Sequence, residues 1–388
     1  MMQYILIIPE TEKLKRAFII RVCSHAFGGG THGKTIHNEM HCRIWRRMIM
    51  RKNKLFRAAM ILSAAAVIAF AVPAGTDGRP ITGIRAEAYE YKTLYYDNSV
   101  YYGETNGNKP DGYGTMEYEN GVTYEGEWVN GYKHGFGTMK WPNGEFYEGH
   151  WVSGQRSGTG YFKWSDGDTY EGSWKNDKRN GYGVYTDSNG SYYQGNWVNG
   201  VKSGQGYYKW ASGDRYDGQW KNDKLNGYGT YYYSNGNEYE GNFANGIKSG
   251  KGTMSYKNGE KYSGQWKNDK KNGSGKYYFS DGRVYDGNFV NGTISGQGTM
   301  TWKNGNKYVG QWKNNSKNGF GKYYAVDGSY YEGNWVNNKM SGKGYLRTPN
   351  GVTYEGEFKD GMINGKGTIT SADGSTYTGT FKNGEIVD

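Results

Sequence analysis

Tyr124-Glu125-Gly126-Glu127-Trp128 is the stretch of sequence that decides the fold. Its pattern of tyrosine, glycine and a large aromatic residue returns every 23 residues without an insertion. The next copies begin and end at Tyr147 and Trp151, Tyr170 and Trp174, Tyr193 and Trp197, Tyr216 and Trp220, and Tyr239 and Phe243. Later copies begin at Tyr262, Tyr285, Tyr308, Tyr331, Tyr354 and Tyr377, and a weak first copy begins at Tyr101. A fixed period in the range of about 20–50 residues indicates a repeat array.

Residues 124–146 predict the structure of one unit. Apolar and small residues alternate with polar ones over 124–128 and again over 135–141, which is the period of a β-strand. Turn residues occupy 130–135, and Asn143-Gly144 returns the chain to the next tyrosine. Each unit is therefore predicted to be an antiparallel hairpin. Residues 89–388 are predicted to form about twelve units and a partial one, in an all-β array that makes one elongated, curved single-layer sheet.

The alternation predicts two different faces of this sheet. One face should carry Tyr124, Gly126, Trp128 and their equivalents, and the other should carry polar residues such as Glu125 and Lys163. A glycine inside a strand implies the close approach of another group, which we expect to be the next unit's tyrosine or tryptophan. The aromatic face is either satisfied by this packing, or it holds a partner segment, a second protomer or a sugar chain.

Lysine-rich turns recur every 46 residues, which indicates duplication of a two-hairpin unit. The candidate anion contacts in these turns are Lys175, Lys178, Lys221, Lys224, Lys267 and Lys270. Strand spacing places successive pairs about 20 Å apart along one edge of the sheet. They could bind anionic lipid or wall polymer. The simpler interpretation is that charged turns keep the hairpins soluble and keep the sheet from associating with others.

The charge of the chain is concentrated near its N-terminus. The whole chain has a net charge of +11, but residues 1–89 hold 14 Lys/Arg against 5 Asp/Glu, and the rest holds 34 against 32. The repeats are therefore nearly neutral, and we expect no nucleic-acid partner. Both cysteines precede Met50, so no disulfide can hold the array.

Residues 50–88 are typical of a signal peptide or signal anchor. Four basic residues between 51 and 57 precede the uncharged, Ala-rich run Ala58–Val72, and small and polar residues follow it. Fifteen residues are few for a membrane-spanning helix, although an uncleaved anchor or a buried helix remains an alternative. Because a signal peptide belongs at the start of a protein, we expect translation to begin at Met48 or Met50, with residues 1–49 untranslated or disordered.

Two patterns in residues 1–49 look like sites but lack the surrounding features that such sites need. Residues 28–35 fit the phosphate-binding pattern Gly-x4-Gly-Lys-Thr, yet about 20 residues remain before the signal-like segment, too few for the sheet that a P-loop requires. The His and Cys residues between 23 and 42 match no closed zinc spacing. We therefore expect neither a nucleotide nor a metal site.

The repeat units resemble the MORN repeat. The resemblance is carried by Tyr-x-Gly-x-Trp, a following Gly-x-Gly, and Asn/Asp-Gly before the next tyrosine, over residues 101–388. It implies stacked hairpins and a role in scaffolding, oligomerisation or membrane attachment. Some members carry a lipid-phosphate kinase domain, but no residues remain here to form one.

The sequence therefore predicts a bacterial-type exported protein without catalytic, cofactor or metal sites. In the repeats His134 and His150 are isolated, and the acidic residues recur from unit to unit, whereas a catalytic group would break the repeat. The expected function is a scaffold or interaction module of the cell envelope. Its partners would be protein, a second copy of itself, or anionic lipid or wall polymer. The alternative is a cell-wall glycan-binding module.

Overall fold

The chain folds into a long series of short strands. In the computed structural model, which describes residues 89–387, the described backbone forms 27 β-strands and no helix. The strands are β1 Glu90–Tyr96, β2 Ser99–Asn106, β3 Lys109–Tyr118, β4 Thr123–Val129, β5 Tyr132–Lys140, β6 Phe146–Val152, β7 Gln155–Lys163, β8 Thr169–Lys175, β9 Lys178–Thr186, β10 Tyr192–Val198, β11 Val201–Lys209, β12 Arg215–Lys221, β13 Lys224–Tyr232, β14 Glu238–Ala244, β15 Ile247–Ser255, β16 Lys261–Lys267, β17 Lys270–Tyr278, β18 Val284–Val290, β19 Thr293–Thr301, β20 Lys307–Lys313, β21 Ser316–Tyr324, β22 Tyr330–Val336, β23 Lys339–Arg347, β24 Thr353–Lys359, β25 Met362–Thr370, β26 Thr376–Lys382 and β27 Glu385–Ile386.

Each strand pairs antiparallel with the strand before it and the strand after it, so the sheet is one open meander. From β4 to β26 a strand of seven residues alternates with one of nine. This confirms the predicted all-β fold, a single-layer repeat array of antiparallel hairpins. None of the described backbone, from residue 89 to 387, forms an apolar helix of membrane-spanning length. Two predicted segments lie outside the described residues. They are the extension 1–49, with its P-loop-like and Cys/His patterns, and the signal segment 50–88.

The turn inside each hairpin is shorter than the sequence predicted. Asn130 and Gly131 form it alone, with φ of 51° and 83°, as a type I′ turn requires. The next strand then begins at Tyr132, not at Gly135. Gly135, with φ of 55°, lies in a bulge where Gly126 pairs with Gly137 but Glu127 pairs with His134. A bulge of this kind bends the strand and increases its local twist.

Between residues 154 and 292 every second turn uses aspartate where the others use glycine, which gives the 46-residue period a structural cause. Asp223 adopts a φ of 62°, and its Oδ1 accepts the backbone N–H of Lys202 in the preceding hairpin at 2.8 Å. Asp177 and Asp269 accept equivalent bonds at 3.0 and 2.9 Å. The aspartate side chain therefore joins its turn to the neighbouring hairpin. Glycine has no side chain and cannot make this bond.

A buried tyrosine fills a space left by two paired glycines in each hairpin. Tyr216 is 0% exposed, and its hydroxyl donates to the backbone oxygen of Gln219 at 3.1 Å. Gly218 pairs with Gly229 beneath the ring, and a Cβ added to Gly229 would lie 2.6 Å from Cζ of Tyr216. The ring closest to the glycines belongs to their own hairpin and not, as expected, to the next unit. The expected approach of the next unit's tryptophan is also present, through the bond of Trp151 to a glycine backbone oxygen. The Tyr side chain crosses onto its own partner strand because these two positions lack a Cβ.

We predict that Gly229→Ala lowers the free energy of unfolding by about 3 kcal/mol, because the added methyl group must displace a ring that is already fully packed. Thr230→Ala is the matched control, since Thr230 is the next residue on the same strand and pairs with Asp217 on the other face. It should cost less than about 1 kcal/mol. Urea denaturation followed by tryptophan fluorescence measures both variants. Equal effects of the two substitutions would show that the tyrosine ring does not depend on the missing Cβ atoms of the glycine pair.

Candidate functional site on the aromatic face

Interlocked rings run along the aromatic face. Trp151 meets the ring of Tyr124 edge-on, with centroids 5.3 Å apart, and that of Tyr147 in the same way at 5.1 Å. Its Nε1–H donates to the backbone oxygen of Gly137 at 3.2 Å. Because each tryptophan touches the tyrosines of two consecutive hairpins, the rings join the units into one continuous core.

The predicted repeat-signature residues all lie in this core. Their exposed fractions are 5% or less, and Gly126 is buried with them. They are Tyr124, Gly126, Trp128, Tyr147, Trp151, Tyr170, Trp174, Tyr193, Trp197, Tyr216 and Trp220. Trp197 differs in one respect: its buried indole N–H has no hydrogen-bond partner among the described residues. In the structure these residues pack against one another in the core. That they also contact a ligand or partner remains a prediction.

A second column of rings on the same face is only half-buried. Trp210 stacks on Tyr208 with centroids 4.5 Å apart and approaches Tyr231 at 5.3 Å. The column comprises Tyr118, Trp141, Trp164, Trp210, Tyr233, Tyr256, Phe279 and Trp302, each 17 residues after a buried tyrosine. These residues supply the ring surface that a ligand on this face could reach.

Positively charged side chains lie among the rings, in what we call the cation row. The row occupies the position nine residues after the buried tyrosine, opposite the tryptophan across the hairpin, as Lys317 is opposite Trp312. It consists of Lys133, Arg156, Arg179, Lys202, Lys248, Lys271 and Lys317. Lys317 Nζ lies 3.8 Å from the ring centroid of Trp335, and Lys271 Nζ lies 4.3 Å from that of Tyr277. Cations over aromatic faces are attracted by the ring quadrupole.

The cation row was not predicted from the sequence. The other units from Tyr101 to Tyr354 carry an uncharged residue at this position, so the residue type varies where the tyrosine and glycine columns do not. These residues are Pro110, Leu225, Ile294, Met340 and Ile363. Aligning the units at a step of 23 residues would have shown seven cations in one column. The signal was present, but it is visible only when all units are compared.

Members of the cation row differ in their partners. Arg156 is paired with Asp177, with Nε 2.9 Å from Oδ1, and Lys248 lies 3.8 Å from Asp269. Within residues 89–387, the ammonium groups of Lys202, Lys271 and Lys317 form neither an ion pair nor a hydrogen bond with a protein oxygen. Burial among the rings lowers the pKa of Lys202 and Lys271, and it lowers the pKa of Lys317 to about 8. These three groups are half-buried donors without acceptors.

The lysines predicted as anion contacts lie elsewhere. Lys175 and Lys178 pair across a two-residue turn, and both are exposed. Lys175 is the next residue after Trp174, so its side chain lies on the opposite face of the strand. Lys221 pairs with Lys224 and Lys267 with Lys270 in the same way. The structure therefore places the predicted lysines in three pairs along one edge of the sheet, apart from the rings. Whether they bind an anion remains a prediction.

The opposite face is less uniformly polar than predicted. Tyr182, Tyr228 and Phe320 are 54%, 53% and 48% exposed, and they occupy one position in alternate units. The hydroxyl of Tyr228 donates to Oε1 of Glu240 in the next hairpin at 2.7 Å. This face therefore also presents rings, at intervals of 46 residues or a multiple of it.

The acidic groups near the longer loops are engaged in the structure of the sheet. Asp214 accepts the backbone N–H of Ser234 at 2.7 Å and the hydroxyl of Tyr231 at 2.8 Å. These two interactions, the backbone bond first, lower the pKa of the Asp214 carboxyl. Among residues 89–387, no three His, Cys, Asp or Glu side chains come together in a way that could hold a metal ion.

We predict that the stability of the array rises with pH from about 8 and falls above about 10. Between pH 8 and 10.5 the unfolded chain holds a proton on Lys317 that the folded chain has lost, so raising the pH favours the folded state. Burial raises the pKa of Tyr262, Tyr285 and Tyr331 from 10 to about 12, so above pH 10 the unfolded chain ionises first and folding is disfavoured.

Urea denaturation at a series of pH values measures this profile. Lys317→Leu is the control variant, because it should reduce the rise and leave the alkaline fall unchanged. A stability that stays constant from pH 8 to 10 and on to 11 would contradict the assignment of both groups as desolvated.

Comparison with known proteins agrees with the repeat pattern. The model of the MORN repeat matches twelve tandem segments. They are residues 101–123, 124–146, 147–169, 170–192, 193–215, 216–238, 239–261, 262–282, 285–307, 308–330, 331–353 and 354–376. No curated protein matches the chain.

Similar solved structures are remote. The TCP domain of Drosophila melanogaster SAS-4, in complex with a proline-rich motif of Ana2, is 18% identical, covering 40% of this chain and 85% of that one, with a TM-score of 0.26. The G-box domain of the microcephaly protein CPAP is 12% identical, covering 64% of this chain and 100% of that one, with a TM-score of 0.19. A streptogramin B lyase is 13% identical, covering 76% and 88%, with a TM-score of 0.13. Scores this low do not establish a shared overall fold.

Proposed function

Since the chain belongs to the MORN-repeat family, whose repeats are generally non-catalytic interaction modules, we propose that it is a non-catalytic scaffold of the cell envelope. In this role it binds protein or anionic envelope components through its repeated hairpins. The observation that carries the proposal is the periodicity of the surface. The same chemical group is offered every 23 or 46 residues along a single sheet, so one partner can engage many equivalent positions at once.

A protein partner, or a second copy of the chain, would use the exposed rings of the polar face. Tyr182 and Tyr228 are more than half exposed, and aromatic side chains are enriched where proteins meet. Their spacing of 46 residues corresponds to about 20 Å along the sheet. A partner with a matching repeat would therefore contact several of them in register.

An anionic lipid surface would instead meet the turn lysines. The pairs Lys175 with Lys178, Lys221 with Lys224 and Lys267 with Lys270 protrude at the edge of the sheet. Each lysine near an anionic membrane surface contributes roughly 1 kcal/mol of attraction at physiological salt. Several pairs acting together would hold the array on such a surface.

Export is part of the proposal and rests on composition. The basic residues between 51 and 57, followed by the apolar run 58–72 and then small and polar residues, follow the order of a signal sequence. On this proposal residues 1–49 take no part in function. The mature protein is either secreted or held at the membrane by residues 58–72.

A cell-wall glycan-binding module is the second candidate. The half-buried column that includes Trp164, Trp210 and Trp302 favours it, because flat rings offer contact area to sugar rings at a low cost in conformational entropy. This candidate uses the aromatic face, whereas the first uses the polar face and the turns. The two candidates therefore differ in which surface of the sheet meets the partner.

We predict that the expressed full chain is recovered in an envelope or secreted fraction, with a mature N-terminus near Val72 or Tyr89 or with residues 58–72 retained. Cell fractionation, with mass determination of the N-terminus, provides the measurement. Recovery with membranes or in a protein complex supports the scaffold, and recovery with isolated wall polymer supports the glycan-binding module. A cytosolic protein starting at Met1 would contradict the proposal.

A further inference from the structure

We infer that the aromatic face binds an extended acidic glycan, with its carboxylates on the cation row and its sugar rings on the half-buried aromatic column. This inference rests on the proposed function, since it treats the ligand as an anionic component of the envelope and places it on the aromatic face that the glycan-binding candidate uses. It goes further by naming the face, the residues and the chemistry. It also separates this site from the turn lysines, which the sequence alone had suggested.

Most polar groups on the aromatic face already have hydrogen-bond partners. The hydroxyl of each buried tyrosine already donates to a backbone oxygen, as Tyr193 does to Asn196 at 2.9 Å. The N–H groups of the buried tryptophans donate to glycine carbonyls, as Trp220 does to Gly206 at 3.0 Å, and Trp197 is the exception among the buried tryptophans of the described residues. The ammonium groups of Lys202, Lys271 and Lys317 have no such acceptor. A ligand that satisfies them must bring anionic oxygens.

Aromatic rings surround these ammonium groups. Lys202 Nζ lies 4.6 Å from the ring centroid of Tyr208 and 5.0 Å from that of Trp220. Tyr208 in turn stacks on the half-buried Trp210. A ligand group bound here therefore meets a cation and flat apolar rings together. A sugar that carries a carboxylate offers both complements, because its C–H face lies on a ring while its carboxylate reaches the cation.

The spacing of the hairpins sets the spacing of the cations and rings. Hairpins repeat at about 10 Å, so the cation row and the half-buried ring column run side by side along the array at that interval. Four consecutive members of the row, Lys133, Arg156, Arg179 and Lys202, occupy consecutive hairpins. An extended polymer lying across these strands would meet a cation in each of the four hairpins and a half-buried ring in three of them. Such binding gains affinity from linked contacts more than from any single one.

Other anionic ligands fit this face less well. An extended peptide gains most of its affinity from main-chain hydrogen bonds at the edge of a sheet, whereas the strands of this face are already paired on both sides. A lipid bilayer is flat, and it would meet the exposed turn lysines before the half-buried Lys271 or Lys317. A polymer with carboxylates on sugar rings is therefore the ligand that the face favours.

The repeat itself supplies a substitution that removes the charge and keeps the packing. Leu225 occupies the position of the cation row in one hairpin, and Ile294 occupies it in another. Both are buried, at 9% and 6% exposed, and Leu225 pairs with Trp220 as Lys317 pairs with Trp312. Leucine at Lys202, Lys271 and Lys317 therefore reproduces a packing that the chain already uses.

The test measures binding of the full chain to sodium polygalacturonate by isothermal titration calorimetry. The face variant Lys202→Leu/Lys271→Leu/Lys317→Leu should lose affinity by about 100-fold or more, since each lost charge-assisted contact is worth on the order of tenfold. The turn variant Lys178→Gln/Lys224→Gln/Lys270→Gln removes the same charge from the edge. It should change the affinity by no more than about threefold, which is the effect of net charge alone.

A second measurement keeps the inference testable if the face variant does not fold. Fully methyl-esterified polygalacturonate has the same sugar backbone without the carboxylate charge, and the unaltered chain should not bind it. Equal binding of the ester, or loss of binding only in the turn variant, would overturn the inference.

Two further probes separate this inference from the proposed function. Binding to phosphatidylglycerol vesicles or to poly-glutamate, without binding to polygalacturonate, would overturn the acidic-glycan inference and leave the proposed binding of anionic components standing. Failure to bind any of the three anionic probes would overturn the inference and remove the anionic-ligand arm of the proposed function.

Discussion

The contact between one tyrosine ring and a pair of facing glycines is the interaction on which the rest of the structure depends. A glycine in a strand costs roughly 0.5–1 kcal/mol relative to alanine, so two in every hairpin are unfavourable by themselves. Burying an aromatic ring of some 150–250 Å² offsets that cost, provided the ring can lie flat on the backbone. Only glycines permit this, as the 2.6 Å approach between an added Cβ and the Tyr216 ring shows.

Once each hairpin holds its own tyrosine, the tryptophans join hairpins into an array. Trp151 bridges the tyrosines of two units, and its N–H bonds to a glycine carbonyl of the earlier one. The core is therefore one-dimensional, with each unit contacting its neighbours only. A one-dimensional core leaves long rows of identical surface positions. Both the cation row and the exposed Tyr182 and Tyr228 follow from that geometry.

Strict alternation made most of the fold predictable from the sequence, because tyrosine, glycine and tryptophan recur at fixed steps and define one face. The turn boundary was not predictable in the same way, since the turn glycine Gly131 and the bulge glycine Gly135 look alike in the sequence. The cation row was not predicted because the residue at its position varies between lysine, arginine, leucine, isoleucine, methionine and proline. Its importance comes from neighbours on the next strand, such as Trp335 beside Lys317, which no single unit reveals.

We conclude that the tyrosine over its glycine pair holds the hairpins together. Hydrogen exchange measured by mass spectrometry can test this in Tyr216→Ala and in the matched variant Tyr228→Ala, whose side chain is exposed on the other face. We expect the first variant to lose amide protection in β12 and β13 and in the adjoining strands β11 and β14. The second should keep its protection throughout. Equal protection in the two variants would show that the tyrosine does not hold the hairpins together.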